Sequence, residues 1–169
     1  VSNERVSLSS LEVSVSGVGA GRGHTFDALV GAARAGTARA AFSDGTQLPD
    51  VLAADWLPRG ALVRFETSDA SVVSADAADG RFTLRANSEV RTTLAAQSVC
   101  DGSVRGELSV APNLLPAVGD IDLGMDVGLQ FQQSGAQLTV PVHANAADGL
   151  LVNYQVEVTV DPSVFYASG

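Results

Sequence analysis

The amino-acid sequence predicts an all-β protein of the sandwich class. Three observations lead to this prediction: apolar and polar residues alternate in several short stretches, Asp-Gly pairs separate those stretches, and helical spacing is scarce. Alternation with a period of two is typical of strands with one buried face, and Asp-Gly favours tight turns between them. A parallel α/β sheet would need helices between successive strands, and the sequence lacks such segments.

The first 36 residues predict one strand followed by a connecting region. Leu11, Val13 and Val15 alternate with polar residues, which indicates a half-buried strand. Residues 17–23 are rich in glycine and predict a loop. Residues 24–36 are ambiguous, because Phe26 and its neighbours have helical spacing while two glycines disfavour a helix. We therefore assign residues 1–36 to an N-terminal strand and a Gly/Ala-rich connection.

Residues 37–112 carry the firmest strand pattern and predict a self-contained sandwich. Thr37 to Phe42 predicts a strand that ends at a Ser-Asp-Gly turn. Further strands are predicted around residues 62–67, 72–73, 81–86, 91–100 and 108–110, with Asp-Gly turns at 79–80 and 101–102. The alternation places Phe65, Phe82 and Leu84 on inward faces, so we expect these three side chains to be buried.

Residues 113–117 predict a linker and residues 118–169 a second, incomplete β-sandwich unit. Pro112 and Pro116 lie close together, and proline interrupts hydrogen-bonded ladders. Alternation over Leu138–Ala144 and Val152–Val160 predicts two further strands. A seven-strand sandwich needs about 100 residues. We therefore expect the remaining strands of the second unit to come from chain beyond Gly169 or from a neighbouring copy.

The charge distribution disfavours nucleic acid as a partner. The formal net charge is −9, all ten basic residues are arginines, and the last of them is Arg105. Seven acidic residues follow Arg105. Such a surface repels phosphate but tolerates calcium ions or basic proteins. No apolar stretch reaches the roughly 20 residues that span a bilayer, so we expect no membrane span in this segment.

Residues 37–111 resemble the group 2 bacterial Ig-like domain. That family has a strand ending in Asp-Gly-Thr, an aromatic strand leading to Ser-Asp-x-x-Val, and a hairpin strand that begins with glycine. The matching stretches are Phe42–Thr46, Asp50–Val51, Phe65–Val73 and Gly80–Phe82. One departure is that the family's tryptophan normally precedes the Ser-Asp pair, where this chain has Phe65, while Trp56 lies earlier.

Residues 118–169 resemble the opening of a cohesin-like domain. The resemblance rests on Val118–Gly124, on the Val-Pro-Val of residues 140–142, and on Tyr154–Phe165 with its Asp-Pro corner. Ig-like and cohesin-like units in succession are similar to repetitive surface and adhesion proteins, including mastigoneme-type filament proteins of cilia. The resemblance implies an extracellular structural or adhesive segment that contacts other chains or copies of itself. The alternative is a carbohydrate- or protein-recognition module attached to an enzyme or scaffold.

One candidate metal site stands out. Asp120, Asp122 and Asp126 surround Gly124 with a spacing that resembles a short calcium loop. Calcium takes six to eight oxygen ligands, and alternating aspartates around a glycine turn supply several of them. The alternative is an exposed acidic strand between the two units. We expect no other cofactor.

The remaining reactive residues do not predict an enzyme. His24 and His143 are the only histidines and lie in different units, so no catalytic triad is indicated. The single cysteine, Cys100, excludes an internal disulfide. Two interpretations of Cys100 remain: a buried free thiol, or a thiol whose partner lies outside this segment.

Overall fold

A computed structural model describes residues 5–18, 24–54, 58–88, 90–122, 142–147, 149, 155 and 157. The described part of the chain is all-β, as the sequence predicts. It contains eleven strands and one 3-10 helix. Their bounds are β1 (Leu8–Val15), β2 (Thr25–Ala28), β3 (Ala33–Phe42), β4 (Gln47–Leu48), the 3-10 helix (Val51–Ala53), β5 (Val63–Thr67), β6 (Val73–Ala75), β7 (Arg81–Leu84), β8 (Thr92–Ser98), β9 (Arg105–Leu114), β10 (Ile121–Asp122) and β11 (His143–Ala144).

Nine of these strands form two sheets. The first sheet has the order β1-β3-β7-β6, and β4 pairs with the end of β3. The second sheet has the order β2-β9-β8-β5. Neighbouring strands are antiparallel in both sheets, except that β2 and β9 are parallel. A separate two-stranded pair, β10-β11, follows the sandwich.

The core lies between the two sheets and is built from alternating positions, as the sequence predicts. Leu11, Val13 and Val15 of β1 are buried, whereas Glu12 and Ser14 are exposed. The expectation for Phe65, Phe82 and Leu84 is confirmed, because each is at most 2% exposed. Apolar side chains facing inward from both sheets remove a continuous surface from water, which is the main stabilising term for such a fold.

The sandwich begins earlier than the predicted boundary at residue 37. Strand β1 pairs with β3 along seven residue pairs, from Leu8 opposite Phe42 to Val15 opposite Gly36. Strand β2 lies in the region with helical spacing, and it pairs with β9, the last strand of the sandwich. Phe26 and Ala28 are buried while Leu29 and Val30 are exposed in the turn that follows. The helical spacing was misleading because Leu29 and Val30 belong to a turn, not to a buried face.

The predicted linker at residues 113–117 starts too early, because β9 continues to Leu114. Pro112 lies inside β9, opposite Phe26. The backbone amides of Ala111 and Leu115 donate to the carbonyls of His24 and Ala28. Along β9, the amides that point toward β2 therefore occur at every second residue, and Pro112 lies at a position that points away from β2. Strand β8 begins at Thr92, opposite Val110, and does not reach Pro112. The proline therefore removes no ladder hydrogen bond here.

The turns follow the predicted chemistry. Asp79-Gly80 connects the antiparallel strands β6 and β7, and Gly80 has a φ of 64°. A side chain at Gly80 would also meet Leu52 at 2.8 Å. Asp101-Gly102 lies between β8 and β9 as expected. Of the predicted strand over residues 152–160, only residues 155 and 157 are described, and most of the second unit lies outside the described residues.

Candidate functional site

The predicted calcium ligands lie only partly within the described residues. Asp120 is exposed; its amide donates to the Ala117 carbonyl at 2.9 Å and its carbonyl accepts from the Asn145 amide at 3.2 Å. Asp122 lies in β10, opposite His143, and Asp126 lies outside the described residues. Among the residues described, no three His, Cys, Asp or Glu side chains gather as metal ligands. Calcium binding at these three aspartates therefore stays a prediction.

The His24 backbone and three buried phenylalanine rings are part of the sandwich itself, whereas Cys100 is exposed. His24 has a φ of 58°, and its carbonyl accepts from the Ala111 amide at 2.9 Å. Cys100 is an exposed free thiol, so the interpretation as a buried thiol is wrong and a partner outside this segment remains open. Phe26, Phe65 and Phe82 are buried, which leaves none of them as a platform for a ligand.

A small cleft lies beside the 3-10 helix. Its lining includes Val51, Leu52, Arg59 and Leu62. The space holds about one water molecule, far below the several hundred Å³ of a typical ligand pocket. This cleft therefore offers no room for a carbohydrate.

Four turns carry aspartates that cap their own backbone. Hydrogen bonds to the carboxylate lower the pKa of each one: from the Thr46 amide to Asp44, from the Ser71 hydroxyl to Asp69, from the Asp79 amide to Asp76, and from the Ser103 hydroxyl to Asp101. Such bonds favour the ionised form. These aspartates stabilise turns, because the groups that donate hydrogen bonds to them belong to the same turns.

A charged ladder crosses the outer face of the second sheet. The Arg105 guanidinium lies 2.5 Å from Glu66 Oε1 on β5 and, through Nε, 2.6 Å from Glu107 Oε1 on β9. Ala95 on β8 stands directly between the two glutamates in the register and is fully buried. A small residue at this position lets the arginine lie across β8, so the ladder links β9 to β5 over the strand between them.

The two ends of the sandwich are the feature with the clearest consequence for function. We call the end where β1 begins the proximal pole; Leu8 pairs there with Phe42, the last residue of β3. We call the opposite end the distal pole; it holds the start of β3 and the paired residues Ala28 and Leu114. The chain therefore enters the sandwich at one pole and leaves it at the other.

The parallel pair β2-β9 joins the first part of the chain to the last strand of the sandwich. Its register runs from Thr25 opposite Ala111 to Ala28 opposite Leu114. Asn113 is 8% exposed, and its Nδ2 donates to Asp27 Oδ1 at 2.7 Å across the pair. Sequence reasoning missed this pairing because β2 has only four residues and its partner lies 86 positions away.

Comparisons with known proteins identify no family for this chain. No family model matches the chain, and no curated protein matches it. A solved structure that resembles it is described as the crystal structure of the S-layer protein rSbsC(31-844). The two share 16% sequence identity with a TM-score of 0.41, and the match covers 68% of this chain but 16% of that chain. Across the described residues, no helix has the length and apolar character to cross a membrane.

Proposed function

We propose that this chain is a structural module of an extended cell-surface protein and that it has no catalytic role. One observation carries the proposal: the chain enters at the proximal pole and leaves at the distal pole. Modules with this property extend a protein when they are joined end to end, whereas modules with both ends at one pole fold the chain back. β3 has ten residues, so each sandwich would add roughly 30 Å of length.

The strand order supports an Ig-like assignment for the sandwich. In the immunoglobulin arrangement, one sheet has the order A-B-E-D and the other contains C, F and G. The order β1-β3-β7-β6 corresponds to the first of these, and β5, β8 and β9 correspond to C, F and G. This correspondence and the resemblance to the group 2 bacterial Ig-like domain favour one Ig-like unit that spans residues 8–114.

The extracellular location rests on analogy of architecture. Sandwiches of this kind are common in cell-surface proteins, although a fold alone does not fix a function. Labelling intact cells that produce the natural protein with antibodies raised against this segment tests the location. We expect labelling without permeabilisation. Labelling that appears only after lysis would contradict the proposal.

The separation of the poles is tested by distance measurement between spin labels. Labels at Arg5→Cys and Val118→Cys, in a Cys100→Ser background, report the pole-to-pole distance; all three native residues are exposed. Labels at Val30→Cys and Val118→Cys form the matched control, because Val30 lies in the turn at the distal pole and is 66% exposed. We expect the first distance to exceed the second by roughly the length of β3. Equal distances would refute the end-to-end arrangement.

A further inference from the structure

We infer that the parallel pair β2-β9 is a mechanical clamp that resists tension applied along the chain. The inference rests on the proposed function, since only a module within an extended protein is pulled at both ends. Among the described strand pairs, β2-β9 is the one parallel pair. It also connects the segment just after β1 to the strand from which the chain leaves the sandwich.

The direction of tension relative to these strands carries the argument. Strands β2 and β9 run in the same direction, so Thr25, the first residue of β2, lies on the proximal side of the pair, and the chain leaves β9 at the distal pole. Tension therefore pulls β2 and β9 in opposite directions along their common axis. All hydrogen bonds of a pair loaded in this way are strained together, whereas strands pulled apart from one end lose their bonds one after another. Strand β1 is sheared against β3 in the same manner, so the two pairs resist tension in series.

Side-chain packing opposes sliding of β2 along β9. Phe26 is fully buried in the core, whereas Asp27 is exposed. Successive residues of a strand point to opposite faces, so a slip of one residue would turn Phe26 toward water and Asp27 toward the core. Complete exposure of a phenylalanine side chain costs about 1.5–3 kcal/mol. The register is therefore locked by burial as well as by hydrogen bonds.

Hydrogen bonds reinforce the clamp at three positions along the β2-β9 pair. The Ala111 amide donates to the His24 carbonyl at 2.9 Å, and the Leu115 amide donates to the Ala28 carbonyl at 2.8 Å. Between them lies the hydrogen bond from Asn113 Nδ2 to Asp27 Oδ1. Next to the first of these hydrogen bonds, the Arg91 guanidinium also donates to the Ser109 carbonyl at 2.7 Å and reaches the His24 carbonyl at 3.5 Å.

Single-molecule force spectroscopy on the full 169-residue chain tests the clamp. Handles at Arg5→Cys and Val118→Cys, in the Cys100→Ser background, pull from pole to pole. Handles at Val30→Cys and Val118→Cys pull the distal ends of β2 and β9 apart and peel the pair. Because forced unfolding reports the unfolding barrier along the pulling direction, we expect a several-fold higher rupture force from pole to pole. Equal rupture forces along the two axes would overturn the inference.

A pair of substitutions keeps the test specific to β2-β9. Asp27→Ala removes the hydrogen bond to Asn113, and Asp79→Ala removes a 2.6 Å ion pair with Arg59 in a turn away from the clamp. We expect Asp27→Ala to lower the pole-to-pole rupture force and Asp79→Ala to leave it unchanged. Equal effects of the two substitutions would also contradict the clamp. If the rupture forces along the two axes are equal while antibodies label intact cells, the clamp alone is refuted. If the protein is found inside the cell, the proposed function alone is refuted.

Discussion

The interior of the sandwich is wide in its centre and narrow along one edge. In the centre, the rings of Phe65 and Phe82 meet edge to face, with centroids 6.0 Å apart and an interplanar angle of 81°. Along the edge, the backbone of β1 lies so close to β9 that a Cβ at Gly106 would stand 2.6 Å from the Leu11 carbonyl oxygen. Large side chains fill the centre, whereas the edge requires a residue without a side chain at position 106.

This difference teaches that a single substitution rule does not apply to the whole core. The central layer is stabilised by apolar volume, and an edge-to-face ring pair adds about 0.5–1.5 kcal/mol beyond the area it buries. The edge is stabilised by close contact between two backbones, which only a glycine permits at position 106. Removing volume should therefore harm the centre, and adding volume should harm the edge.

The largest effect is expected from emptying the central layer. Phe82→Ala should lower the free energy of unfolding by about 3–5 kcal/mol, because Phe82 is fully buried and its loss leaves a cavity. Urea denaturation measures the change. Val30→Ala is the control and should change stability by at most about 0.5 kcal/mol, since Val30 is 66% exposed. Similar costs for the two variants would show that the central layer is not the core.

An intermediate effect is expected from adding one methyl group at the edge. Gly106→Ala should cost about 1–3 kcal/mol, because the atoms it meets belong to the Leu11 backbone and cannot rotate away. Gly102→Ala is the matched control in the adjoining turn, where the nearest atom is Nε2 of Gln97, at 3.3 Å, at the end of a flexible side chain. If both variants unfold at the same urea concentration, the close approach of β1 to β9 is wrong.

A smaller effect is expected on the outer face of the second sheet. Arg105→Met keeps an aliphatic cover over Ala95 but leaves Glu66 and Glu107 without the bridging charge. Because these side chains are 34–55% exposed, the loss should be about 0–1 kcal/mol, and it should shrink as salt is added. Arg64→Met on β5 controls for the change in net charge. A loss that is independent of salt would argue against an electrostatic ladder.

The subtlest effect is expected from acid. The turn aspartates Asp44, Asp69, Asp76 and Asp101 have folded-state pKa values below the ordinary 3.8. Their stabilising contribution is therefore fully present above that value and is lost as the pH falls through the lowered pKa values. Thermal unfolding should show a falling midpoint below about pH 4. The decline should be weaker in an Asp69→Asn, Asp101→Asn double variant; an identical decline would contradict this assignment.

Local patterns predict the strands whose own residues alternate clearly. The alternation of Leu11, Val13 and Val15 gives β1, and Asp79-Gly80 gives the β6-β7 hairpin. Both features arise within a few neighbouring residues, so a sequence window contains the cause. Strand β2 and the end of β9 differ, because a four-residue strand and a strand containing Pro112 are favoured only by each other. Their pairing is a contact between distant parts of the chain, and no window contains it.

The candidate functional features also depend on contacts between distant parts of the chain. The exposure of Cys100 and the Glu66–Arg105–Glu107 ladder depend on strand register, which the sequence pattern does not specify. The placement of the two poles depends on which strands pair, so it also becomes visible only in the assembled sheets. The predicted calcium site depends on Asp126, outside the described residues, and stays a prediction.

The pairing of β2 with β9 also sets the order in which the protein can fold as it is synthesised. Asp27 leaves the ribosome 86 residues before its partner Asn113. At about 5–20 residues per second, β2 waits on the order of ten seconds for its partner strand. During that interval Phe26 has no completed core to enter, although the β6-β7 hairpin can already form from neighbouring residues. Closure of the sandwich is therefore the last step of its folding, and it depends on the arrival of residues 111–114.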